Sequence, residues 1–146
     1  MTVAALDPAD DRHVTIEVAG VAALLVAKVH KIRDRLDTGR TDRLSDKDAA
    51  DVYRIMQTTR PAEVAETMHT LIADPMSAEV TVQALDLMRD LFARRAGEGV
   101  AMAQRARQLA VDPDQVATIC VAFTEQLLAP PHNPKVDGHP SSPIAC

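Results

Sequence analysis

Lys28 and Asp48 are the two residues best placed to do chemistry in this 146-residue chain. An advance of about 100° per residue from Val21 puts Lys28 at about 340°, on the edge of an apolar stripe formed by Leu25, Val29, Ile32 and Leu36. Arg35, two turns further on, lies in line with Lys28, and Lys31 sits on the adjoining flank. In a second helical stretch Asp48 falls one turn before Val52 and two before Ile55, on the inward side, with Asp51 rotated toward the rim. An ionised side chain on a buried face needs a partner or a task, because burying it alone is costly. Two chemistries fit. Lys28 can lay its stem over the core and pair with Asp48 as an interhelical salt bridge. Alternatively, Lys28 and Arg35 grip an anion such as a phosphate group, while Asp48 positions Lys28 or handles a proton. Residues 28 to 47 hold seven basic and four acidic side chains in a chain of net charge −5, a contrast that favours an anion site.

The elements that must position these residues read as helices. A core with no Trp, one Tyr and two Phe, rich in aliphatic residues, favours packed helices over a β-sandwich. The expected fold is mainly α: a bundle of five to six helices with one short N-terminal strand. Residues 1–12 read as a flexible lead, 13–128 as the helical domain and 129–146 as a disordered tail with five prolines. Alternation over Val14 to Val18 predicts the strand. Thr2 to Ala4 leans weakly the same way, so the strand has no obvious partner and is expected to join a sheet supplied from elsewhere. The first helix runs from Val21 to Asp37 and Gly39 ends it. Ser45 opens the second, with Asp48 at the capping-box position. Helices follow from Pro61 to Asp74, from Ser77 to Arg95 with Val80, Ala84, Leu87, Met88, Leu91 and Phe92 expected in the core, from Val100 to Leu109 after the break at Gly97-Glu98-Gly99, and from the cap Asp112 with Pro113 at the first helical position.

Other candidates read as structural. His30 falls opposite the apolar stripe and His69 on a surface, while His132 and His139 lie in the tail. Cys120 reads as a small buried apolar residue, and no Cys/His spacing matches a zinc site. Arg94–Arg95 and Arg105–Arg107 serve a helix C-terminus, bind an acidic partner or stay solvated. The acidic balance excludes general nucleic-acid binding. The apolar run at residues 21–29 is too short to span a membrane, and cysteine usage fits a reduced, cytoplasmic protein.

The stretch Ala22-Ala23-Leu24-Leu25-Val26-Ala27-Lys28-Val29-His30-Lys31-Ile32-Arg33-Asp34-Arg35, followed by Lys47-Asp48-Ala49-Ala50-Asp51-Val52-Tyr53-Arg54-Ile55-Met56, resembles the downstream motifs of AbiEii-type nucleotidyltransferases. These are toxin components of bacterial abortive-infection and toxin–antitoxin systems. The resemblance covers about Val14 to Met56. It implies the C-terminal half of a nucleotidyltransferase fold, with Lys28 and Asp48 in catalytic roles and Arg35, Lys31 and Asp51 supporting the nucleotide. It also implies transfer of a nucleotide to an RNA or protein acceptor, with Mg²⁺ and an NTP as cofactors. The family's Gly-Ser turn and Asp-x-Asp pair have no counterpart upstream of Lys28, and Asp7, Asp10 and Asp11 lack the strand to hold them. The expectation is therefore a part of such an enzyme, truncated or split, and inactive without that metal-binding half. The competing expectation is a non-catalytic helical interaction module that binds a partner protein, either an antitoxin or a second copy of itself.

Overall fold

The computed structural model describes residues 2–4, 13–15, 19–39 and 43–130. It is mainly helical. Two short strands, β1 (Thr2–Ala4) and β2 (His13–Thr15), pair antiparallel with Val3 opposite Val14. The expectation of a strand without a partner is corrected here: the weak Thr2–Ala4 stretch supplies its backbone hydrogen bonds. Residues 16–18 of the expected strand and 131–146 of the expected tail lie outside the described residues.

Six helices follow among the described residues: α1 (Val21–Asp37), α2 (Arg43–Thr58), α3 (Pro61–Ala73), α4 (Ala78–Phe92), α5 (Glu98–Arg107) and α6 (Pro113–Leu128). In α1, Ala22, Leu25, Val26, Val29 and Ile32 are buried, an i, i+3, i+4, i+7 stripe. Each larger aliphatic side chain on it contributes about 1.5–3 kcal/mol by leaving water. Val21, at about 0° on the helical wheel and so expected on the stripe, is instead 39% exposed as the first residue of the helix. Gly39 closes α1 at φ 68°, a left-handed position that favours glycine. Helix α2 begins two residues before Ser45, so Ser45 lies inside the first turn and is not its cap. Asp112, in contrast, caps α6 as expected, its Oδ1 accepting from the backbone N–H of Asp114 at 2.8 Å.

Helix α6 packs against α2, α3, α4 and α5. That enclosure explains why Val116, Ala117, Cys120, Phe123, Thr124 and Leu127 are all buried. Helix α1 lies against α2, α3 and α4, and α2 lies against α1, α5 and α6. Helices α4 and α5 are shorter or shifted relative to expectation. A Cβ built on Gly99 would lie 2.6 Å from Phe92 Cζ, so the ring sits where a larger residue would stand. This glycine lets α5 start at Glu98, not Val100, and turn tightly after α4 ends at Phe92, not Arg95. Val80, expected in the core, is 40% exposed at the start of α4, and Thr81 is buried in its place.

Candidate functional site: an ionic clasp beside a cationic cleft

Lys28, Lys31 and Arg35 project from α1 at i, i+3 and i+7, which aligns them on one face toward α2. All three converge on Asp48. Lys28 Nζ donates to Asp48 Oδ1 at 2.7 Å and to Asp51 Oδ2 at 2.8 Å. Arg35 Nη1 lies 2.7 Å and Lys31 Nζ 3.4 Å from Asp48 Oδ2. The Arg35 contact is a charge pair without hydrogen-bond geometry, since neither Arg35 Nη1 nor Asp48 Oδ2 has a hydrogen-bond partner. Its attraction is coulombic and depends on distance, not direction. Asp51 in turn takes Arg54 Nη1 on its Oδ1 at 3.4 Å.

Asp48 is 3% exposed and ionised. Burial alone would raise its pKa, but the Lys28 hydrogen bond and the charges of Lys28, Lys31 and Arg35 outweigh that and hold it below the ordinary carboxylate value. Burial likewise works against the Lys28 ammonium, yet its hydrogen bonds and charge attraction to Asp48 and Asp51 raise its pKa overall. Both members are thus fixed in their charged forms. Neither is poised to exchange a proton near neutral pH.

The two carboxylates do not fit the Mg²⁺ that the sequence resemblance implies. The ion needs near-octahedral oxygen ligands, whereas Lys28 Nζ already bridges the oxygens of Asp48 and Asp51. Among the described residues no three His, Cys, Asp or Glu side chains group as metal ligands.

On its opposite flank α2 meets the C-terminal end of α5. Arg105 grips Asp46 with two hydrogen bonds, Nε to Oδ2 at 3.1 Å and Nη2 to Oδ1 at 2.7 Å. Beside this pair opens a cleft of about 590 Å³, whose charged lining residues are Asp46, Lys47, Asp51, Arg54, Arg105 and Arg107. Helix α2 therefore carries three carboxylates, Asp46, Asp48 and Asp51, each clamped by a cation from a neighbouring helix.

The sequence-derived site residues Lys28, Lys31, Arg35, Asp48 and Asp51 are brought together. For the cleft residues Arg105 and Arg107 the sequence leaves open a helix end, an acidic partner and, foremost, a solvated face, and it does not single out Asp46. The sequence signal at Asp46 is only its place in the first turn of α2, where a carboxylate complements the helix N-terminus, and that does not point to Arg105. His30, expected to face solvent, instead places Nε2 2.9 Å from the Val80 carbonyl, because α4 covers that side of α1. Arg95, expected on a solvated face, keeps its side chain 56% exposed and donates from Nη2 to Asp114 at 2.7 Å and from Nη1 to Thr118 at 3.1 Å, tying the link after α4 to the start of α6. Cys120 is buried and its thiol is pushed up to about 12 by desolvation, which removes it as a nucleophile. No helix of the described residues is long and apolar enough to cross a membrane.

No family model, curated protein or solved structure matches the chain.

Proposed function

We propose that this chain is a non-catalytic helical interaction module that binds a partner protein, and that the Lys28–Asp48 cluster is the clasp holding its first two helices. One observation carries this reading. The cations that would hold a nucleotide's phosphates, Lys28 and Arg35, are both engaged by Asp48 within the chain at 2.7 Å. A phosphate would have to displace a buried carboxylate that cannot leave, and Asp48 would then repel it at close range. The same arrangement leaves no proton acceptor at the cluster for activating an acceptor hydroxyl. What remains is a scaffold with a chemically distinct surface cleft, which suits recognition better than turnover.

The test is calorimetric titration of the full chain and of Lys28→Ala with ATP, GTP and CTP in the presence of Mg²⁺. The expected result is no saturable binding by either protein and a lower melting temperature for Lys28→Ala. Saturable nucleotide binding by the wild type that disappears in Lys28→Ala would overturn the proposal and restore the nucleotidyltransferase reading.

A further inference from the structure

The cleft between α2 and the end of α5 has no part in the clasp beyond sharing Asp51 with it. Four of its lining residues are cations: Lys47, Arg54, Arg105 and Arg107. Its two carboxylates are already occupied, Asp46 by Arg105 and Asp51 by Lys28 and Arg54. Two positive charges are thus left over among the described residues of a chain that is acidic overall. Arg107 carries the sharpest sign of a missing ligand. Its Nε is buried and has no hydrogen-bond partner among the described residues, and a buried charged N–H is expensive to leave unmade. Lys47 is exposed on the α2 side of the same cleft.

The remaining walls narrow the class of occupant. Ala50, Ala106 and Ala110 form a low apolar shelf, and Leu109 stands 98% exposed on the rim. Among the described residues no aromatic ring lines the cleft, so a nucleobase finds no stacking platform there. At about 590 Å³ the space far exceeds a lone inorganic anion. Arginine next to an exposed aliphatic side chain is the composition of a protein–protein contact.

From these features the geometry points to an acidic segment of a partner protein as the occupant, with a carboxylate on the Arg107 guanidinium, a second near Lys47 and an aliphatic side chain against Leu109. Arg107 offers the planar fork that a carboxylate accepts in two parallel hydrogen bonds. This rests on the interaction-module reading and names the chemistry of the partner.

The experiment is fluorescence anisotropy of the full chain with a labelled twelve-residue peptide of alternating Glu and Leu, and with its Gln-for-Glu counterpart. The Glu peptide is expected to bind at least about tenfold more tightly than the Gln peptide, and to weaken with added salt. Arg107→Gln and, separately, the surface change Lys47→Gln should each cost about tenfold in Kd if each loses one charged contact. Lys47→Gln leaves the core untouched, so it keeps the test valid if Arg107→Gln fails to fold. Equal binding of the two peptides, no binding of the Glu peptide, or indifference to Lys47→Gln would overturn the assignment. Full displacement of the peptide by equimolar inorganic phosphate would also overturn it, in favour of a compact anion site. Failure here with no nucleotide binding in the calorimeter sinks the acidic segment alone, whereas nucleotide binding lost in Lys28→Ala sinks the module reading itself.

Discussion

Lys28 Nζ meets Asp48 Oδ1 at 2.7 Å across the α1–α2 interface, and the same oxygen pair is flanked by Lys31 and Arg35. The arrangement is a hub, with one carboxylate serving three cations. Removing the hub and removing a spoke therefore differ in kind. Asp48→Ala leaves Arg35 without a carboxylate among the described residues while Lys28 keeps Asp51 at 2.8 Å, and is expected to cost about 3 kcal/mol, the low end of the range for orphaning a buried charge. Lys28→Met leaves Asp48 with Arg35 and Lys31 and keeps an apolar stem, so about 1 kcal/mol is expected. Urea unfolding of both variants measures the difference. Equal losses would show that the cluster is a set of independent pairs.

The same hub sets the response to pH. Asp48 titrates below its unfolded value of 3.8 in the folded chain, so its stabilisation is complete above that value and is lost as pH falls through the lower folded pKa. Lys28 titrates above 10.5 when folded, so its contribution is complete below 10.5 and is lost as pH rises through the higher folded pKa. Thermal melts should show a plateau whose alkaline edge comes earlier than the Lys28 limit, near pH 9.0, where the Cys120 thiol, held at about 12 in the fold, begins to ionise in the unfolded chain. Asp48→Asn should flatten the acid limb relative to wild type, with the other carboxylates of the chain supplying what slope remains.

How much of this was legible beforehand depends on the range of the interaction. Lys28, Arg35 and Asp48 could be placed on inward faces because helical periodicity is local and strong in α1 and α2. Asp112 with Pro113 was legible for the same reason: a cap is decided by the residues beside it. The Asp46–Arg105 pair, separated by 59 residues, was not. Nothing in either segment's pattern says that α5 packs beside α2. The contact of His30 with Val80 has the same cause, since a wheel assigns a face but not the neighbour that covers it. Gly97 and Gly99 were read as breaks, whereas Gly99 is a packing position beneath the Phe92 ring, a role only tertiary contact creates. Convergence on Asp48 also inverted the meaning of the basic stripe. Cations that looked free to hold an anion in sequence are neutralised by a carboxylate from the next helix.

Cys120 offers a check on the enclosure of α6. Its thiol is buried and held at about 12 by desolvation, so almost no thiolate exists at pH 8 in the folded chain. In a Cys146→Ser background, Ellman's reagent should therefore react only in denaturant, and native-state labelling should track unfolding. Rapid stoichiometric reaction without denaturant would mean that the packing of α6 opens readily. Cys120→Ser should destabilise, because it places a polar hydroxyl in a site that desolvates a thiol.

Thr124 is fully buried on α6, and its hydroxyl has no hydrogen-bond partner among the described residues. Thr81 on α4 is in the same state at 1% exposure. A hydroxyl taken from water without a partner costs about 1–3 kcal/mol. Valine has nearly the same shape and the same branching at Cβ, so the exchange removes the polar atom without opening a cavity. Helix propensity changes little between the two residues. Thr124→Val and Thr81→Val are therefore each expected to stabilise the protein by about 1 kcal/mol. The urea midpoint should rise with no change in slope. A loss of stability in either variant would show that its hydroxyl finds a partner in solution, such as a buried water.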